Sequence, residues 1–226
     1  MAGNGEYCFA SCGRGIAIKD ICFYVADKSM KQGLEGLLSL LFPDKQASDF
    51  CDFYVDPHHD AGVYNNAGNF LRNLLKQYRY AMVFLDHEGS GQEKKTCEEI
   101  EKKIEGELVY NGWAKERVKV IVFAPELEIW IWVESKIVSK TLGWNNYQEL
   151  KNCLMLEGFW EKGKTKPQRP KECMEYALKE KGIPRSSSLF KKIAENITLE
   201  VFQKCQDTSF RKFIETLERW YDKKWI

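Results

Sequence analysis

Four short apolar runs, each rich in aromatic or β-branched residues, alternate with amphipathic stretches over the first 125 residues. The runs are DICFYVAD (20–27), FCDFYVD (50–56), YAMVFLD (80–86) and RVKVIVFAP (117–125). Each is short and bounded by polar or turn-forming residues, which is the signature of a buried strand. Between them, 28–42 places Met30, Leu34, Leu37, Leu38 and Leu41 at helical spacing. Residues 63–78 place Phe70, Leu71, Leu74 and Leu75 on one side, and 92–112 carry Cys97, Ile100, Ile104 and Leu108 as a narrow apolar stripe. A βαβαβαβ order leaves few solutions. Right-handed crossovers make the sheet mainly parallel and cover it with helices on both faces.

After residue 133 the strand signals fade. Helices are expected near 134–142, 146–156, 171–181, 188–195, 198–205 and 208–221, with Ser209 and neighbouring Asp207 as candidate caps before FRKFIETLERWY in the last. The expected architecture is an α/β unit over 1–133, followed by a mainly helical region over 134–226 packed on it. The charge divides in a similar way. Residues 1–150 carry 17 bases and 22 acids, whereas 151–226 carry 17 bases and 11 acids. The formal total of +1 is therefore an acidic unit joined to a basic one. The basic excess concentrates in KGKTKPQRPK (162–171), which is expected to be an exposed connection because its prolines disfavour helix.

With 44% hydrophobic residues and so small a net charge, the chain is not of the disordered class. Nor is it a bulk polycation that coats nucleic acid. No apolar run approaches the roughly 20 residues of a membrane span. The first residues show no secretory signal pattern, so a cytoplasmic protein without a membrane partner is expected. The eight cysteines, at 8, 12, 22, 51, 97, 153, 173 and 205, do not form a four-ligand zinc pattern. They are expected to be reduced and mostly buried.

Every strand ends on acids. Asp27 follows the first. Asp56 ends the second, before Pro57, His58, His59 and Asp60. Asp86 ends the third, before His87 and Glu88, and Glu126 and Glu128 follow the fourth. In an open parallel sheet, ligands bind beyond the carboxyl ends of the strands, so these acids and all three histidines are expected on one edge. Crowded carboxylates repel one another, and an oxygen-liganded Mg²⁺ or Mn²⁺ removes that cost. Each acid on its own is equally explained as a cap or turn former. Glu126 and Glu128 share a face if ELEIWIW is extended, which also describes an edge strand with Trp130 and Trp132 on one side. The turn GSG (89–91) is read as opening a helix and offering amides to a phosphate, or simply as a tight turn. It lacks the lysine of a P-loop and the full dinucleotide spacing.

The placement of Asp27 in YVADKSM and of Asp86 and Glu88 in FLDHEGSG resembles a toprim domain. That is the metal-binding module of topoisomerases, primases and overcoming-lysogenization-defect nucleases. The family carries a glutamate after its first strand and Asp-x-Asp after a later one, so the two carboxylate lengths are exchanged at Asp27 and Glu88. More of the chain, notably PELEIW and SFRKF, is similar to toprim-like proteins of bacterial defence islands, in particular a component of methylation-associated anti-phage defence systems. The resemblance implies a prokaryotic antiviral role beside other defence subunits, with metal-dependent nuclease activity on DNA or RNA.

On this reading Asp27, Asp60, Asp86, Glu88, Glu126 and Glu128 are the candidate ligands of Mg²⁺ or Mn²⁺. His87, His58 and His59 are candidates for proton transfer. Lys164, Lys166, Arg169 and Lys171 would guide a phosphate backbone. The rival expectation is a non-catalytic interaction or regulatory subunit. Its acids would be structural, and Trp130, Trp132, Trp160, Trp220 and Trp225 would be exposed against partner subunits. A nucleotide-binding regulator built on the GSG turn is a third.

Overall fold

The computed structural model describes residues 18–225. Cys8 and Cys12 therefore lie outside the described residues. The elements in order are β1 (Lys19–Val25), α1 (Lys28–Leu41), α2 (Ala47–Phe50), β2 (Cys51–Val55), α3 (His59–Arg72), β3 (Tyr78–Asp86), α4 (Cys97–Tyr110) and β4 (Val118–Phe123). Six helices follow: α5 (Lys136–Thr141), α6 (Tyr147–Leu156), α7 (Pro170–Glu180), α8 (Ser188–Asn196), α9 (Leu199–Gln203) and α10 (Thr208–Tyr221).

The four strands form one parallel sheet in the order β2-β1-β3-β4. The chain is thus an α/β protein whose C-terminal part is helical, as its periodicity requires. β1 and β3 occupy the middle of the sheet and are buried on both faces, which explains their continuous apolar character. The winding reverses between β1 and β3. It sends α3 and α4, which pack on each other, to one face. On the other face Phe23, Phe84 and Phe123 form an aromatic layer, and α10 closes over it with Phe213 against Phe84. Phe84 and Phe213 are wholly buried, and each such ring stabilises the fold by about 1.5–3 kcal/mol.

The C-terminal helices share the core of the sheet domain. One contiguous apolar cluster runs from Ile21 to Trp225. α8 packs on α1, where Gly36 is needed: a Cβ there would lie 2.8 Å from Ala194 Cβ and from the Lys191 carbonyl oxygen. The indole of Trp225 donates to the Leu41 carbonyl at 3.0 Å.

Several local expectations are corrected. Trp130, Trp132, Trp160, Trp220 and Trp225 are all buried, with no more than 8% exposure. Their indole N–H groups find internal acceptors, for example the Pro170 carbonyl for Trp132 at 2.9 Å and the Glu116 carbonyl for Trp220 at 2.9 Å. They are core residues, not a partner surface. ELEIWIW is not an edge strand. Residues Leu127–Trp130 form a 3-10 turn, entered through a cis Ala124–Pro125 peptide. GSG does not open a helix either, since α4 starts at Cys97 on a Thr96–Glu99 capping box. The six described cysteines are free thiols, four of them buried. Burial raises the thiols of Cys22, Cys51 and Cys173 far out of the reactive range. Among the described residues, no helix is long and apolar enough to cross a membrane.

Candidate functional site

In a parallel sheet wound both ways, the crevice opens where the winding reverses. Here that point lies between the carboxyl ends of β1 and β3, which carry Asp27 and Asp86. A cleft of about 430 Å³ is found there, lined by Asp27, Ser29, His59, Asp60, Asp86, Glu88, Gly89, Glu126, Leu127, Glu128, Lys171 and Arg185. All six acids read from the sequence as candidate metal ligands therefore line one cleft.

Each acid is placed by a local device. Asp27 caps α1, with Oδ1 accepting from the Met30 amide at 2.8 Å. Asp60 lies in the first turn of α3, after His59 in the left-handed backbone region (φ 56°). Its Oδ1 accepts from the Asp86 amide at 2.7 Å. Asp86 ends β3, and its Oδ1 accepts from the Leu127 amide at 2.8 Å. That bond ties the third strand end to the turn after the fourth. Glu88 is exposed at the rim.

Glu126 and Glu128 differ from the aspartates, because both are buried and paired with cations. Glu126 meets Lys171 Nζ at 2.7 Å, and Glu128 meets Arg185 at 2.5 Å. Arg185 also holds Glu175 at 2.8 Å. The cleft thus has an acidic floor of Asp27, Asp60 and Asp86, and a wall where two glutamates are balanced by two cations. Burial is the main influence on Asp60 and Asp86. It pushes the Asp86 carboxyl well above the usual carboxylate range, and the charges of Asp60, Glu128 and Asp27 push it further. Asp60 is raised by burial, against its bond to the Asp86 amide. Burial also raises Glu128, with Arg185 pulling it back. The hydrogen bond to Glu126 raises Lys171 and keeps it protonated.

No family model, curated protein or solved structure matches the chain. The reading of the site therefore rests on its own chemistry.

Among the described residues, no group of three or more His, Cys, Asp or Glu side chains is placed to hold a metal ion. Mg²⁺, however, is commonly bound by only one or two carboxylates, with waters and substrate phosphates completing the shell. The donor set around the floor is all oxygen, and burial together with neighbouring carboxylates raises Asp86 and Asp60. That chemistry fits a hard divalent cation.

The other candidates separate. Of the histidines, only His59 lines the cleft. His58 is held by Asp56, its amide donating to Oδ1 at 2.7 Å with the ring exposed, and His87 Nε2 lies 2.7 Å from the Lys95 carbonyl. Of the basic tract, only Lys171 reaches the cleft. Lys166 donates to the Ile129 carbonyl at 2.6 Å, whereas Lys164 and Arg169 are exposed elsewhere. Arg185 and Ser29 were not apparent from sequence. Arg185 stands alone in IPRSSS, where no spacing marks it. The GSG amides are already occupied: Gly89 N and Gly91 N donate to Glu93 Oε1 at 3.1 and 3.0 Å. Glu93 thus sits where a phosphate would have to sit.

Asp56 is also explained without chemistry. It is buried, outside the cleft, and accepts from the Tyr24 hydroxyl and the His58 amide. Tyr24→Phe is expected to cost about 1–3 kcal/mol by leaving a buried carboxylate short of a donor. Equilibrium urea unfolding would show this as a lower midpoint at an unchanged slope.

Proposed function

We propose that the cleft is a toprim-like phosphodiester site, and that the protein is a metal-dependent nuclease component of a prokaryotic anti-phage defence system. The observation that carries the chemical part is the convergence of six carboxylates on the switch-point cleft, faced by Lys171 and Arg185. The defence role and the neighbouring subunits rest on the resemblance borne by PELEIW and SFRKF.

One or two of Asp27, Asp60, Asp86 and Glu88 would hold Mg²⁺ or Mn²⁺, with water and substrate phosphate completing the shell. When bound, such a cation offsets the carboxylate charge and polarises phosphate oxygens. The chain's own residues supply the rest. Lys171 and Arg185 present N–H donors to a phosphate, and Arg185 does so in the planar fork suited to it. Glu126 and Glu128 hold those two cations in place. His59, at the cleft, is the histidine positioned for proton transfer.

A second reading is favoured by one observation: Asp27, Asp60, Asp86, Glu126 and Glu128 each already have a protein partner. In that reading the cleft is a structural node of a non-catalytic subunit. The two differ in their response to metal. The purified protein is expected to cleave DNA or RNA in Mn²⁺ or Mg²⁺, and Asp86→Ala is expected to lower cleavage by at least a hundredfold. Its melting temperature should rise with metal, following RT ln(1 + [L]/Kd), or about 2.7 kcal/mol at a hundred times Kd. A flat melting temperature and no cleavage would select the structural reading.

A further inference from the structure

A second concavity lies against the turn that walls the cleft. Residues Glu126, Leu127 and Glu128 line the acidic cleft, while Ala124 and Ile129 of the same turn line a groove of about 620 Å³. Three lysines border this groove, Lys151, Lys166 and Lys204, brought together from α6, the 162–169 connection and the segment after α9. Among the described residues none of the three has a carboxylate within 4.0 Å. Lys166 Nζ is instead fixed by the Ile129 carbonyl at 2.6 Å and the Cys205 sulfur at 3.7 Å. Lys151 Nζ stands 4.9 Å from the centre of the Trp160 ring. The groove also has an aromatic and apolar wall, formed by Tyr147 with Trp132 and Val133. Asp207, at its edge, is turned inward: Oδ1 takes the Phe210 amide at 3.1 Å and the Ser209 hydroxyl at 2.5 Å. It is thereby committed to capping α10.

Most lysines elsewhere on the fold that are held by a partner meet a carboxylate, as Lys171, Lys212 and Lys119 do. Three lysines that converge without a carboxylate in contact, against Glu134 and the capping Asp207, leave the lining of a concave, partly apolar site net positive. Such a lining concentrates an anion, and an adjacent aromatic face suits a base. We infer that this groove binds a nucleotide unit of a single-stranded nucleic acid, with its phosphates on Lys151, Lys166 and Lys204 and a base against Tyr147. The site is separate from the acidic floor and needs no metal. It shares with the proposed function only the phosphate chemistry of the ligand.

The test measures fluorescence anisotropy of a labelled single-stranded oligonucleotide in EDTA, across a salt series. The proteins are the wild type, the Lys151→Ala/Lys204→Ala double variant, Lys31→Ala and Tyr147→Ala. Lys204 is exposed and Lys151 half-buried without an ion pair, so the double variant is expected to fold, as circular dichroism would show. The double variant should lose at least tenfold in affinity, and its log K against log salt slope should shrink by about 2, one per phosphate contact. Lys31→Ala, which removes one cation outside both sites, should bind as the wild type does. Tyr147→Ala should weaken binding at every salt concentration without changing the slope, which a purely electrostatic patch would not show. Equal affinity and slope in wild type and double variant would overturn the inference, as would no binding by the wild type. Competition by a free mononucleotide as effective as by the unlabelled oligonucleotide would overturn the strand assignment. Metal-free binding lost in the double variant, with no cleavage in any metal, would uphold the groove and reject the nuclease reading. Cleavage in metal by the wild type, with metal-free binding unchanged in the double variant, would do the reverse.

Discussion

Asp86→Asn should raise the melting temperature of the metal-free protein at pH 7 and abolish its stabilisation by Mg²⁺ or Mn²⁺. Asparagine keeps the side-chain oxygen that accepts from the Leu127 amide, so the link between the third and fourth strand ends survives. What it removes is a charge that burial and its neighbours Asp60, Glu128 and Asp27 disfavour. The direction with pH follows from linkage. A carboxyl whose pKa is higher folded than unfolded binds more protons in the native state. Stability therefore falls as pH rises from the unfolded value, near 4, through the raised folded value. The gain from Asp86→Asn is expected to be about 1–2 kcal/mol at neutral pH, a few degrees in Tm for a chain of this size. It should be small near pH 4, where the native carboxyl is protonated and the unfolded one is about half so. With saturating metal the order should reverse, because only the wild type gains binding energy. Differential scanning fluorimetry at pH 4 and 7, with and without metal, reads all four conditions. An unchanged or lower Tm at pH 7 without metal would show that the floor carries no stored repulsion.

The second large effect concerns how the C-terminal helix is held. Lys212 of α10 reaches Glu101 of α4 at 2.6 Å, and the other Glu101 oxygen accepts from the Val122 amide at 3.3 Å. Glu101 is 5% exposed. Lys212→Ala leaves a buried carboxylate without its cation, for which the expected cost is about 3–5 kcal/mol. Lys212→Met combined with Glu101→Gln should recover most of that loss, since the charge is gone and an acceptor for Val122 remains. Lys31→Ala, at a half-buried i,i+4 pair with Glu35 3.8 Å away that water still reaches, should move stability by no more than about 0.5 kcal/mol. Urea midpoints of the four proteins decide it. A Lys212→Ala protein as stable as Lys31→Ala would mean that water reaches Glu101 and screens it.

The elements were legible because their signals are local. YAMVFLD is apolar throughout since β3 is buried on both faces, and Asp207 precedes α10 because its carboxylate meets the Phe210 amide three residues on. The turn after β4 was not legible. Glu126, Glu128, Trp130 and Trp132 alternate as a strand would, but a 3-10 turn lets Trp130 meet Phe123 and Phe210 in the core. Tertiary burial of two indoles outweighed the period-2 pattern. The same burial removes the five tryptophans from any partner surface.

For the site, the sequence by itself determined which carboxylates lie at strand ends. It also set the parallel order that carries them to one edge, because chain direction and crossover hand are consequences of the βαβ pattern. Only the tertiary structure decided how they divide. The order β2-β1-β3-β4 puts Asp27 and Asp86 at the reversal. Folding then brings Lys171 to Glu126 across 45 residues and Arg185 to Glu128 across 57. A lone cation in a loop has no periodicity to announce its partner. Ion pairs at such separations depend on the packing of whole helices, and that packing turned two of six apparent metal ligands into counterions.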